Sequence, residues 1–292
     1  MAVAKQDLGA SIDAIQHHYD VGNEFYRLWL DELRVYSSAL WEDGDTLEEA
    51  QLRKLDYHIH QAKAQRARRV LDVGCGWGAL LDRLVQAYGV EHAVGLTLSE
   101  QQARHISSLN RRQLEVSIQN WQDHAPAAPY DAIISIGAFE HFARPGLSKT
   151  QKVMAYRSFF QRCHEWLSPG GALSLQSIVY GNASRSDFSA FFNEKIFPES
   201  DLPHVAEIAE SVDGLFEVVL LRNDREHYEK TVAEWRRRLK AKWHRAIELV
   251  GSQTVADYDR YFQYSIIGFH IGTMGLARVT LRRIDNPRPL NR

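Results

Sequence analysis

The hydrophobic pattern divides the chain into two textures. Up to about residue 65 the apolar positions Ile15, Tyr19, Phe25, Tyr26 and Trp29 supply the faces of helices. Asp45 and Thr46 before Leu47-Glu48-Glu49 read as a helix start with acids in its first turn, and that helix is predicted to run to about Ala64. From Arg69 onward, short apolar runs at 70–73, 93–96, 114–118, 132–136 and 172–178 alternate with helical stretches. Such alternation predicts an α/β fold whose parallel sheet is covered on both faces. Two later runs, 216–221 and 277–281, are expected to pair as the last strands of the same sheet. Between them Trp235, Leu239, Trp243, Ile247 and Val250 recur at helical spacing, predicting one helix over 228–250. Its opposite face carries Arg236, Arg237, Lys240, Lys242 and Arg245. The expected parts are a helical cap (1–65), a core sheet (66–182), and an insertion with the last two strands that forms a lid (183–292). Ligands of open α/β sheets bind beyond the carboxyl ends of the strands, which is where cap and lid would meet.

Composition narrows the function. A net charge of −2 gives no global attraction to nucleic acid. The basic face at 236–245 leaves room for a phosphate or a peripheral contact with an anionic membrane; the plainer reading is a solvated helix face. With Cys75 and Cys163 as the only cysteines, neither a disulfide scaffold nor a thiolate metal site is expected. The first residues lack the apolar core of a signal peptide, and no window approaches the ~20 apolar residues of a membrane span. A cytoplasmic enzyme is therefore expected, of unspecified oligomeric state. Its 7 Trp, 12 Tyr and 12 Phe concentrate outside the strand runs, which suits the walls of a water-excluding pocket.

The strongest motif is Leu71-Asp72-Val73-Gly74-Cys75-Gly76-Trp77-Gly78, a buried strand turning through glycines into a helix. Glycine permits positive φ and close backbone approach, and the helix start offers free N–H groups to a ligand. A nicotinamide site would want G-x-G-x-x-G and an acid closing the second strand. Here the spacing is G-x-G-x-G, and the second strand ends Gly95-Leu96-Thr97-Leu98-Ser99. The loop instead resembles the first motif of class I S-adenosylmethionine (SAM)-dependent methyltransferases. That resemblance implies a Rossmann-like fold with a seven-stranded, mostly parallel sheet.

Further segments sharpen the resemblance. His18-Tyr19-Asp20-Val21-Gly22-Asn23-Glu24-Phe25-Tyr26, Val35-Tyr36-Ser37-Ser38-Ala39, Gly137-Ala138-Phe139-Glu140-His141, Ile196-Phe197-Pro198 and His227-Tyr228-Glu229-Lys230-Thr231 are similar, in this order, to motifs of the cyclopropane fatty acid and mycolic acid cyclopropane synthase family. The resemblance implies that Tyr36 and Ser37 cover the methionine part of SAM and that Asp72, Gly74 and Gly76 form its glycine loop. It implies that Thr97 and Gln102 reach the ribose and adenine, and that Trp121 and Ile136 flank the adenine. Tyr19, Tyr180, Phe192 and Phe269 are candidates for the substrate pocket, because aromatic faces stabilise a carbocation without quenching it.

The family's bicarbonate ion is held by a Cys, a Glu, a His and a Tyr. At those places stand Ser38, Glu140, Gln176 and Tyr228. Neither Ser nor Gln supplies a positive charge, so bicarbonate is doubtful and Glu140 becomes the candidate base. The leading expectation is a SAM-dependent C-methyltransferase acting on an alkene or electron-rich carbon of a small apolar metabolite. The alternatives are cyclopropanation of an unsaturated fatty acyl chain and a SAM-binding module without catalysis.

Overall fold

The computed structural model describes Gly9, residues 22–188 and residues 199–285. Ile15, Tyr19 and Phe192 lie outside the described residues. A short helix, α1 (Asn23–Tyr26), precedes α2 (Leu47–Gln61). Strand β1 (Arg69–Val73), helix α3 (Ala79–Gln86), β2 (His92–Thr97), α4 (Glu100–Ser108), β3 (Leu114–Ile118) and β4 (Tyr130–Ile136) follow in alternation. Helix α5 (Lys149–Trp166) leads into β5 (Leu167–Tyr180), then α6 (Val205–Val212) and β6 (Phe216–Asn223). Helices α7 (Arg225–Ala241), α8 (Trp243–Val250) and α9 (Ser252–Ile271) separate β6 from the final strand, β7 (Met274–Arg283).

The seven strands form one sheet in the order β3-β2-β1-β4-β5-β7-β6. The first five are parallel, and β7 enters antiparallel between β5 and β6. The late apolar runs thus pair as their pattern predicts, with Val218 opposite Leu281. Strand β5 begins earlier than its apolar run. Leu167 pairs with Tyr130, the Ser168–Gly171 segment bulges out, and pairing resumes at Ala132 and Ala172. Pro169, Gly170 and Gly171 are accommodated there as an irregularity within a strand.

Helix α2 starts where the acids predict. The Thr46 hydroxyl accepts the Glu49 N–H, and the Glu49 carboxylate accepts the Thr46 N–H, which satisfies two otherwise orphaned donors. The cap differs from the expected run of helices between 27 and 46. There the Asp31 carboxylate accepts the N–H groups of Leu33 and Val35, offering the backbone an alternative to helix. The buried rings of Phe25, Tyr26 and Trp29 pack instead against Trp235, Tyr258 and Phe262 of the insertion.

The single helix predicted over 228–250 is broken at Lys242, whose N–H turns back to the Leu239 carbonyl. The break lets Trp235 and Leu239 bury completely while Ala246 seats in the same core from a second direction. Periodicity alone cannot reveal this, because both halves keep their apolar spacing. The basic face is also not an uncompensated patch. Arg236 and Lys240 meet Asp259, Arg237 meets Glu234, Arg238 bridges Glu48 and Glu234, and Arg245 meets Glu248. Among the described residues no helix is long and apolar enough to cross a membrane.

Candidate active site

A cavity opens at the carboxyl ends of β1, β2 and β4, the edge where open α/β sheets take their ligands. Its floor is the turn from β1 into α3. Gly74 there has φ +83°, and a Cβ on it would lie 2.5 Å from the Ala138 Cβ. Gly76 has φ +53°, and a Cβ on it would meet nothing within 4 Å, because it would stand in the cavity itself. Gly74→Ala is expected to cost about 1–3 kcal/mol through overlap and the left-handed backbone. Urea unfolding checks it, and an unchanged midpoint would remove the packing requirement.

The remaining walls come from separate elements. Tyr36 and Ser37 reach the cavity from the loop before α2, and Gln51 of α2 holds that loop by donating to the carbonyls of Val35 and Ser37 (3.2 and 2.9 Å). At the end of β2, Thr97 Oγ1 donates to Gln102 Oε1 at 2.6 Å, so the two polar groups face the cavity as one unit. Trp121 follows β3, packs edge-on against Phe159, and still lines the cavity. Ile136 closes β4. Tyr36, Ser37, Asp72, Gly74, Gly76, Thr97, Gln102, Trp121 and Ile136 therefore all face this one space. Lys54 and His141 face it as well. His141 is hydrogen-bonded through Nδ1 to the Ser200 hydroxyl at 2.7 Å.

Burial pushes Asp72 up to about 7, with the attraction of Lys54 opposing. Glu140 sits in the turn after β4, 3 % exposed. Its Oε1 accepts the Ile178 N–H at 2.6 Å, while Oε2 is buried with no hydrogen-bond partner among the described residues. Burial pushes this carboxyl up to about 7; the N–H of Ile178, its own backbone and the Ser177 hydroxyl pull the other way.

None of Ser38, Glu140, Gln176 and Tyr228 lines the cavity, and Ser38 and Gln176 are fully covered and gather around Arg278. Arg278 Nε donates to Gln176 Oε1 at 2.8 Å, Nη1 pairs with Asp224, and Nη2 donates to the Ala39 carbonyl at 2.9 Å. The Ser38 hydroxyl donates to the Ala39 carbonyl at 3.1 Å. Gln176 Oε1 also lies 3.3 Å from His58 Nε2. Tyr228 stacks on Phe269, ring centroids 4.6 Å apart. Tyr180 donates to Asp201 Oδ1 at 2.7 Å, beneath the ammonium of Lys152.

The family model for mycolic acid cyclopropane synthetase matches residues 6–279. The chain belongs to that family. Cyclopropane mycolic acid synthase 3 of Mycobacterium tuberculosis is 34 % identical over 269 residues, covering 86 % of this chain and 88 % of that protein. The crystal structure of mycolic acid cyclopropane synthase CmaA1, complexed with SAH and CTAB, superposes with a TM-score of 0.86 at 32 % identity. It covers 95 % of this chain and all of CmaA1. Coclaurine N-methyltransferase bound to N-methylheliamine and SAH matches with a TM-score of 0.79 at 24 % identity, a likeness of fold. The fold of this synthetase-family member is thus that of class I SAM-dependent methyltransferases. Since one fold serves several chemistries, the reaction has to be argued from the site.

Lys54 and Arg278, both fully buried, escaped the sequence reading. Lys54 lies on a helix, where lysine ordinarily faces water; its spacing from Gln51 and His58 was the available signal. Arg278 stands inside a run that reads as a fully buried strand, a position where a charge is costly unless paired.

Proposed function

We propose that this member of the synthetase family is a SAM-dependent C-methyltransferase acting on an alkene or electron-rich carbon of a small apolar metabolite. The observation that carries the reading is Glu140, a buried carboxyl with one oxygen unpartnered among the described residues, in the turn that also supplies Gly137 and Ala138 to the cavity. SAM supplies an electrophilic methyl group. The glycine loop suits it, since Gly76 leaves open the space that a side chain would fill. Tyr36, Ser37 and Asp72 would hold the methionine end, Thr97 and Gln102 the ribose and adenine side, and Trp121 and Ile136 the faces of the adenine. Methyl addition to an alkene leaves a carbocation on the substrate. Glu140, held at Oε1 by Ile178, would take the proton at Oε2. Tyr228, Tyr180 and Phe269 would supply aromatic walls that tolerate the cation and exclude water. The cap at 1–65, the core at 66–182 and the lid at 183–292 divide this labour.

Bicarbonate does not fit the side chains present. Ser38 donates to Ala39, Gln176 Oε1 accepts from Arg278, and the charge of Arg278 is matched by Asp224. No step is therefore assigned to it. Family membership favours a second reading, cyclopropanation of an unsaturated acyl chain. SAM bearing a trideuterated methyl group separates the two. Methyl transfer keeps three deuteriums in the product and ring closure keeps two. Loss of one deuterium together with a cyclopropyl proton signal would overturn the first reading in favour of the second.

A further inference from the structure

Two of the other buried cations have a carboxylate at hand, whereas Arg34, 8 % exposed at the cavity, has none within 4.0 Å among the described residues. Lys152 has Asp201 and Glu207, both at 3.2 Å, and Arg278 has Asp224. Lys54 is as deeply buried as Arg278, yet no carboxylate lies within 4.0 Å of it among the described residues. Its Nζ donates to the Ser37 hydroxyl at 2.8 Å, and the side chain forms part of the cavity wall. Asp72, in the same wall and 3 % exposed, likewise has no cation within 4.0 Å among the described residues. The two feel each other only at longer range, with Asp31 adding attraction and Arg278 repulsion at Lys54. An opposite-signed, separately buried pair facing one cavity is matched by a zwitterion.

We infer that Lys54 is a cofactor-binding residue, its ammonium anchoring the carboxylate of the α-amino acid end of SAM while Asp72 receives the ammonium. This rests on the reading of the cavity as a SAM site. Ser37 then has a double part, accepting from Lys54 and keeping the anchor aimed at the cavity. Burial without a counter-ion lowers the lysine to about 7. An arriving carboxylate would restore its charge, since an opposite charge close by favours the ionised form.

The experiment measures the binding of S-adenosylhomocysteine (SAH) and 5′-methylthioadenosine to the full chain by calorimetry. The second ligand shares the thioadenosine of the first and lacks its amino acid end. Lys54→Met is expected to weaken SAH by about 10–100-fold, the worth of a hydrogen bond to a charged group. Methylthioadenosine should bind it as it binds the unaltered chain. Lys54→Arg is expected to recover part of the SAH affinity, and Lys54→Gln, which keeps a donor without charge, should not. If both ligands weaken together, Lys54 serves only to hold the Ser37 loop and the inference is overturned; it is overturned equally if neither weakens. If the unaltered chain binds neither ligand, the reading of the cavity as a SAM site falls first.

Discussion

Glu140→Gln is expected to lower turnover by about 10²–10⁴-fold, the usual worth of a positioned base, while SAH binding is retained. The amide keeps an oxygen for the Ile178 N–H, so the turn after β4 should hold its shape. What it removes is the proton acceptor at the position of Oε2. The pH dependence carries a sign. Burial holds the carboxyl protonated until about pH 7, so the unaltered enzyme should gain activity as pH rises through 7 and level off above it. The mutant should lose that limb of the profile. Initial rates across pH 5–9, an interval of about two units either side of neutrality, with SAH affinity measured alongside, check both parts. An unchanged rate would take Glu140 out of the chemistry and leave it as a brace for Ile178.

The second large effect is on stability. Arg278 is 0 % exposed and joins three stretches of chain that are far apart in sequence. Gln176 lies on β5, Asp224 precedes α7, and Ala39 sits in the loop before α2. Arg278→Met is expected to destabilise the fold by about 3 kcal/mol, because it takes the fully buried partner from the Asp224 carboxylate and leaves it only the half-exposed Arg222 at 3.0 Å. The carbonyl of Ala39 and the amide oxygen of Gln176 lose a donor at the same time. Removing this under-compensated charge as well, in Arg278→Met with Asp224→Leu, should restore part of the loss, since Arg222 is exposed enough to reach water. Urea unfolding of the single and double variants makes the comparison. If the double variant is no more stable than the single one, the cost comes from packing rather than from the under-compensated carboxylate.

These sites differ in how much of them the sequence displays. The succession of strands was legible because buried parallel strands leave short apolar runs, and the glycine loop because Gly74 to Gly78 needs backbone that glycine adopts. The nine residues that the family resemblance assigns to the cofactor stand around one cavity, since each follows directly from a strand end or a short motif. None of the four assigned to chemistry lines that cavity, and Ser38 and Gln176 are drawn aside to Arg278. Nothing in their own motifs signals this, because the arginine is 102 residues from Gln176 and 239 from Ala39. The interruption at Lys242 and the irregular stretch after Trp29 were hidden for a related reason. Both are decided by which core each apolar face reaches, and that depends on packing between distant segments.

The late arrival of β7 has a consequence for how the protein is made. As the chain leaves the ribosome, β5 has β4 on one side and open water on the other, because the intervening strand is synthesised only after α9. Asp224, Gln176 and the Ala39 carbonyl also wait for Arg278, which follows all three in the chain. The sheet beyond β5 therefore closes only once β7 has been made. A message truncated before codon 274 would yield an exposed strand edge, a substrate for chaperones and proteases, in place of a smaller working enzyme.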